Sequence, residues 1–204
     1  MKYNHNVFIN CPFDKKYQPF EDAIIFTIMG CGFKARSAKE SSASNNRLYN
    51  IQKIIQECDF AVHDISRTEL DNKNKLPRFN MPFELGLFLG AKYFGGQFHD
   101  GKSCLIFDRG QYRYEKFISD IKGHDIISHR DIPLRVVDPI RNCLAELAGD
   151  QKILLGSDIC SLYSAFCRWL IKGKIKRESL SFGKFAHIIS KYFESIGGCY
   201  AIQD

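Results

Sequence analysis

LPRFNMPFELGLFLGAKYFG, residues 76–95, joins a polar, basic loop to an apolar segment rich in small residues. Phe83, Leu87 and Gly90 share one face at helical spacing, so the segment reads as a helix. Gly86 and Gly90 leave room for a close neighbour. Asn80 is placed to cap this helix, because its side-chain oxygen can accept an unpaired backbone N–H. Pro82 fits the first turn, where a missing N–H is no loss. Glu84 then stands in the first turn among apolar neighbours. It has two readings. It complements the positive end of the helix, or it faces a cleft and does chemistry.

The segments on either side read as strands. DFAVHDI (59–65) lies upstream and KSCLIF (102–107) downstream, and NVFIN (6–10) and residues 33–36 add two more. Between them, residues 17–30 place Phe20, Ile24, Ile25 and Ile28 on one stripe, and residues 47–58 do the same with Ile51, Ile54 and Ile55. This alternation predicts right-handed βαβ units, hence a parallel sheet with helices on both faces. Ligands of such sheets bind beyond the C-terminal strand ends. That edge collects residues 10–14, the loop after 33–36, residues 63–67, the loop leading to Asn80, and Asp108 with Arg109. The loop before Asn80, about fifteen residues long, carries Arg67, Lys73, Lys75 and Arg78; loops of that length are usually functional or disordered.

Beyond Arg109 the pattern weakens. Residues 112–121 can form a short helix, and 123–131 a turn leading into a short strand. Residues 133–147 read as a helix with Val136, Val137, Ile140, Leu144 and Leu147 inward, and 157–171 and 181–196 as two more. The basic residues 172–177 between those last two read as a solvated turn. The expected organisation is an α/β domain over 1–150 with an α-helical extension over 151–204.

With 204 residues, 45% of them hydrophobic, the chain suits one globular domain or one with a small appendage. A net charge of +6 favours phosphate-bearing partners without requiring nucleic acid. Asn, His and Asp interrupt the N-terminal start, and no apolar run reaches the ~18 residues of a membrane span. A cytoplasmic protein is expected, with neither membrane nor nucleic acid as partner. The eight cysteines form no CxxC pair and no His spacing suggests zinc, so reduced, mostly buried thiols and no metal site are expected. Cys11, in the loop over the sheet edge, is the thiol to watch.

Three segments in order, VFINCPFD (7–14), FAVHDIS (60–66) and FNMPFELGLFLGAKYFG (79–95), resemble the nucleoside 2-deoxyribosyltransferase-like family and its TIR-like relatives. The resemblance covers roughly residues 5–110. It implies a flavodoxin-like (Rossmannoid) α/β domain, and a bacterial defence-type effector that cleaves N-glycosidic bonds of NAD or nucleotides. Under it, Glu84 matches the family's catalytic glutamate and Asp64 the strand-end acid that helps place the base or sugar. Asn10, Pro12 and Phe13 match the first-loop segment lining the nucleotide pocket. The long basic loop and the C-terminal half depart from the transferases, which favours a phosphorylated or dinucleotide substrate over a simple nucleoside. The dinucleotide fingerprint GxGxxG is absent, which argues against an ordinary dehydrogenase.

N-glycosidic cleavage passes through an oxocarbenium-like state at the anomeric carbon. A carboxylate beside that carbon can stabilise the charge, attack it or orient the attacking group. In a helix's first turn Glu84 is expected to stay ionised, and nicotinamide departs neutral from its pyridinium, so one carboxylate suffices for NAD. Asp64 can bind a ribose hydroxyl, or bond the N–H groups of its own turn near Ser66. Strand alternation sends His63 to the opposite face, as a packed histidine rather than a catalyst. Arg67 and Arg78 can grip phosphates or be solvated loop charges. Asn80 is a cap first and a ligand contact second. Tyr17, Phe13 and Phe79 can stack a base or belong to the core. Asp108 and Arg109 match nothing specific, and His129 is assigned no role. The leading expectation is an N-glycosidase or ribosyltransferase with no cofactor and NAD as substrate. The alternative is a nucleotide-sensing module that signals through its C-terminal helices. A homo-oligomer or an activating partner protein is the expected assembly.

Overall fold

Five strands build one sheet: β1 (Asn6–Asn10), β2 (Lys34–Ser37), β3 (Phe60–Asp64), β4 (Ser103–Asp108) and β5 (Ile126–Ser128). The computed structural model describes residues 5–40, 46–70, 75–149 and 153–197. Lys73, Cys199, residues 41–45 of the polar loop and the expected boundary at 150/151 lie outside the described residues. The strands are all parallel, in the order β2-β1-β3-β4-β5. This is a flavodoxin-like α/β sheet, and its order reverses between β1 and β3, the point where sheets of this kind bind ligands beyond the strand ends. The register sets Asn10 beside His63 and Asp64 beside Phe107. β5 is the short strand expected after residue 123, and it pairs Ser128 with Asp108. Residues 112–121 form two 3-10 turns rather than a helix, Arg113–Lys116 and Ser119–Ile121.

Alternation along β1 splits the core in two. Val7 and Ile9 face one layer, made of α1 (Gln18–Gly30), α4 (Val137–Ala148), α5 (Gly156–Lys172) and α6 (Phe182–Ser195). Phe8 faces the other, with α2 (Arg47–Glu57) and α3 (Asn80–Phe94). Lys102 is buried beneath α2 and donates from Nζ to the carbonyls of Ile55 and Cys58, neutralising the negative end of that helix.

α1 explains why the last two helices pack where they do. Every residue from Phe20 to Gly30 is buried. A helix apolar all round must be covered on all sides. The sheet covers one side, and α5 and α6 cover another. The Phe26 ring lies 4.9 Å from that of Phe193 and 5.2 Å from that of Phe166. Gly30 makes room for this contact, since a Cβ there would stand 3.3 Å from the edge of Phe193. α5 and α6 therefore share one core with α1.

Two acids are buried in this helix, and each has a cation brought from elsewhere. Lys39 Nζ reaches Glu21 Oε1 at 2.6 Å, and Arg177 Nε donates to Asp22 Oδ1 at 2.7 Å. The basic run expected to be a solvated turn is corrected at Arg177. That side chain docks onto α1, with its guanidinium 3.9 Å from the Phe185 ring centroid. Even with Arg177 opposing it, burial pushes the Asp22 carboxyl up to about 7. Among the described residues no helix is long and apolar enough to cross a membrane.

Candidate functional site

The ends of β1 and β3, where the sheet order reverses, hold the site together. Asn10, buried at the end of β1, donates its amide N–H groups to Met81 O at 2.8 Å and to His63 Nδ1 at 2.9 Å. This pins the first turn of α3 onto the sheet. His63 packs between Phe8 and Phe88 on the α3 face, as strand alternation expects. Burial pushes its imidazole down to about 3, so it is neutral and carries its proton on Nε2.

The start of α3 corrects two expectations. Asn80 is the exposed first residue of the helix, not its cap, and no side chain caps this end. Glu84 is accordingly the fifth residue of the helix, beyond the first turn, where the macrodipole's hold has faded. It is 4% exposed. Its neighbour of opposite charge is Arg47, on the first turn of α2, with Nη2 3.8 Å from Oε1. Burial pushes the Glu84 carboxyl up to about 7, and Arg47 opposes the shift only in part. The expected ionised carboxylate is thus replaced by one poised between its two forms at neutral pH, because desolvation outweighs both the dipole and the distant cation.

Phe13 lies beside this pair. Its ring, partly exposed, has Lys39 Nζ 4.3 Å and the Arg47 guanidinium carbon 4.9 Å from its centroid. Pro12, next to it, is buried, and so is Cys11. Burial and the acids Glu21, Asp64 and Glu84 all push the Cys11 thiol well up. Cys11 is therefore an apolar filler among the site's carboxylates, not a nucleophile.

Asp64 is fully buried on the α1 side of the sheet. Its Oδ1 accepts the Ser66 N–H at 2.8 Å, the turn contact offered as one of its two readings. Its Oδ2 accepts the Tyr17 hydroxyl at 2.7 Å. His129 Nε2 stands 3.2 Å from the same oxygen, though not aligned as a hydrogen bond, while its Nδ1 accepts the Asp131 N–H. Tyr17 is therefore core, stacked on Phe20 with its oxygen spent on Asp64. Asp108, also fully buried, takes Arg113 Nε and Nη2 at 2.9 and 2.6 Å on Oδ1, and its Oδ2 has no partner among the described residues. Arg113 also donates to Thr68 Oγ1 and the Ser66 carbonyl, so it locks the loop after β3 to the loop after β4.

The structure thus gathers Glu84 and Phe13 around Arg47, and sets Asn10 beneath them. Arg67 pairs with Asp14 at 3.6 Å, joining the first loop to the loop after β3. Arg78 and Asn80 lie exposed at the entrance to α3, and Phe79 is exposed beside them. Sequence reasoning missed Arg47, Lys39, Arg113 and the place of His129. Arg47 stood at the start of the expected second helix, but nothing in its spacing pointed to Glu84. A cavity of about 420 Å³ lies elsewhere, between α2 and the C-terminal half of α3, lined by Tyr49, Ile55, Leu87, Ala91 and His99 among others.

Compared with models of known protein families and with curated proteins, the sequence matches none.

Proposed function

We propose that this chain cleaves an N-glycosidic bond of NAD or a related nucleotide, with Glu84 at the anomeric carbon. The observation that carries the reading is the Glu84 carboxyl itself, buried, loosely paired and raised to about 7. An acid held in this way gains when positive charge arrives beside it. The raised value corresponds to about 3 kcal/mol held against the ionised form, and a developing oxocarbenium ion would return part of it. Deprotonated Glu84 stabilises that ion. The bond pair leaves with the base nitrogen, and water or another hydroxyl closes the anomeric carbon, giving up its proton to the Glu84 carboxylate. Phe13 offers a stacking face, with Lys39 and Arg47 beside it as phosphate partners. Asp64, closed off from solvent, acts here as a positioning residue that holds Tyr17 and the β3 turn.

A second reading is favoured by one further observation. An ionic chain runs from Arg177 through Glu21 and Lys39 to Phe13. It connects the C-terminal helices to the site, as a nucleotide sensor would require. The test is incubation of wild type and Glu84→Gln with NAD and a panel of nucleotides and nucleosides, read by chromatography. Release of free base by wild type alone is the expected result. Release retained by a folded Glu84→Gln protein removes Glu84 from the reaction. No turnover, together with thermal stabilisation by one of the nucleotides, selects the sensor.

A further inference from the structure

Among the described residues no other element covers the outer face of α3. Phe79, Phe83, Tyr93 and Phe94 point away from the sheet, and Phe98 continues the patch just past the helix. Phe94 and Phe98 are 90% and 94% exposed. Between the aromatics lie Gly86 and Gly90. Each costs an exposed helix about 1 kcal/mol relative to alanine, and no other element among the described residues stands within 4 Å of where either Cβ would be. Among the described residues nothing packs on these glycines, and close approach of a second backbone would use them.

The face is also its own mirror. About a centre between Phe88 and Leu89, Phe79 mirrors Phe98 and Phe83 mirrors Phe94. A two-fold axis requires this pattern, since residue i must meet j while j meets i. No charged side chain stands at any of these positions, as befits an interface centre. From their exposures the five aromatics present roughly 700 Å², close to the ~800 Å² per partner of a stable interface.

We propose that the chain forms a two-fold dimer through antiparallel α3 helices, with the helices closest at Gly86 and Gly90. Phe83 of each copy packs on Phe94 of the other. The aromatic end of one α3 then covers the start of the other, beside the entrance to the Glu84 site.

Sedimentation equilibrium and light scattering on the full chain test this. Wild type is expected at twice the 23.5 kDa chain mass. Phe83→Glu and Phe94→Lys, each alone, are expected to be monomeric with unchanged circular dichroism, because both positions are exposed. The double variant Phe83→Glu/Phe94→Lys is expected to recover the dimer, since each Glu then faces a Lys. Gly90→Leu supplies a variant that the open space tolerates in the monomer; it is expected to melt no lower than the monomeric variants and to stay monomeric. A wild type that remains at the chain mass up to about 1 mM overturns the proposal, leaving the face to a different protein. So does a dimer that survives both single changes, or a double variant that fails to reassociate.

Discussion

Glu84→Gln should make this protein more stable at alkaline pH, and the gain should vanish in acid. The Glu84 carboxyl rises from an ordinary 4.5 to about 7 on folding. Between those values the folded chain binds more protons than the unfolded chain, so stability falls as pH rises through the window. Above pH 7 the ionised acid costs about 3 kcal/mol, at about 1.4 kcal/mol per pH unit. That cost is already net of the loose, half-exposed Arg47 contact, which opposes the rise. The neutral, equally sized glutamine should therefore gain about 2–3 kcal/mol at pH 8. In a chain of this length that is roughly 5–10 °C in melting temperature. Below pH 4.5 the acid is neutral in both states and the two proteins should melt together. Calorimetry of both proteins from pH 4 to pH 8 measures the gap directly. A gap that does not change with pH, or a wild type that is the more stable at pH 8, would refute the claim that burial controls this carboxyl. An acid kept for stability would show the opposite sign, so the outcome also separates the two readings of Glu84.

Arg177→Leu should cost about 3 kcal/mol at pH 8, because it leaves the buried Asp22 carboxylate without its cation. The loss should shrink at pH 5, where Asp22, already raised to about 7, is protonated; denaturant titrations at the two pH values check this, and equal losses would contradict it. Asn10→Ala should cost about 1–3 kcal/mol, since His63 Nδ1 and the Met81 carbonyl both lose their donor. Hydrogen exchange in the first turn of α3 should quicken selectively in that variant, and unchanged exchange would show that Asn10 does not anchor the helix.

Both of these effects join residues far apart in the chain, and the same distance separates what was legible in the sequence from what was not. Apolar periodicity is a local property, so the spacing alone placed β1, α1, α2, β3, α3 and β4 to within about two residues, and the strand-end edge with them. It also set His63 and Asp64 on opposite faces, because strand alternation is equally local. The same locality misled it at Asn80 and Glu84, where a favourable cap and a first-turn acid were read from residues that the helix begins one residue too early to use. Only the tertiary structure decided the ionisation of Glu84, since desolvation is a sum over every surrounding group and Arg47 arrives from another helix. It decided the partner of Arg177, 155 residues away, and the hydrogen bonds that close Asp64 between Tyr17 and Ser66. It also decided which side of α3 is core and which is bare: a helix as apolar as this one carries no mark of its outer face until the sheet has taken the inner one.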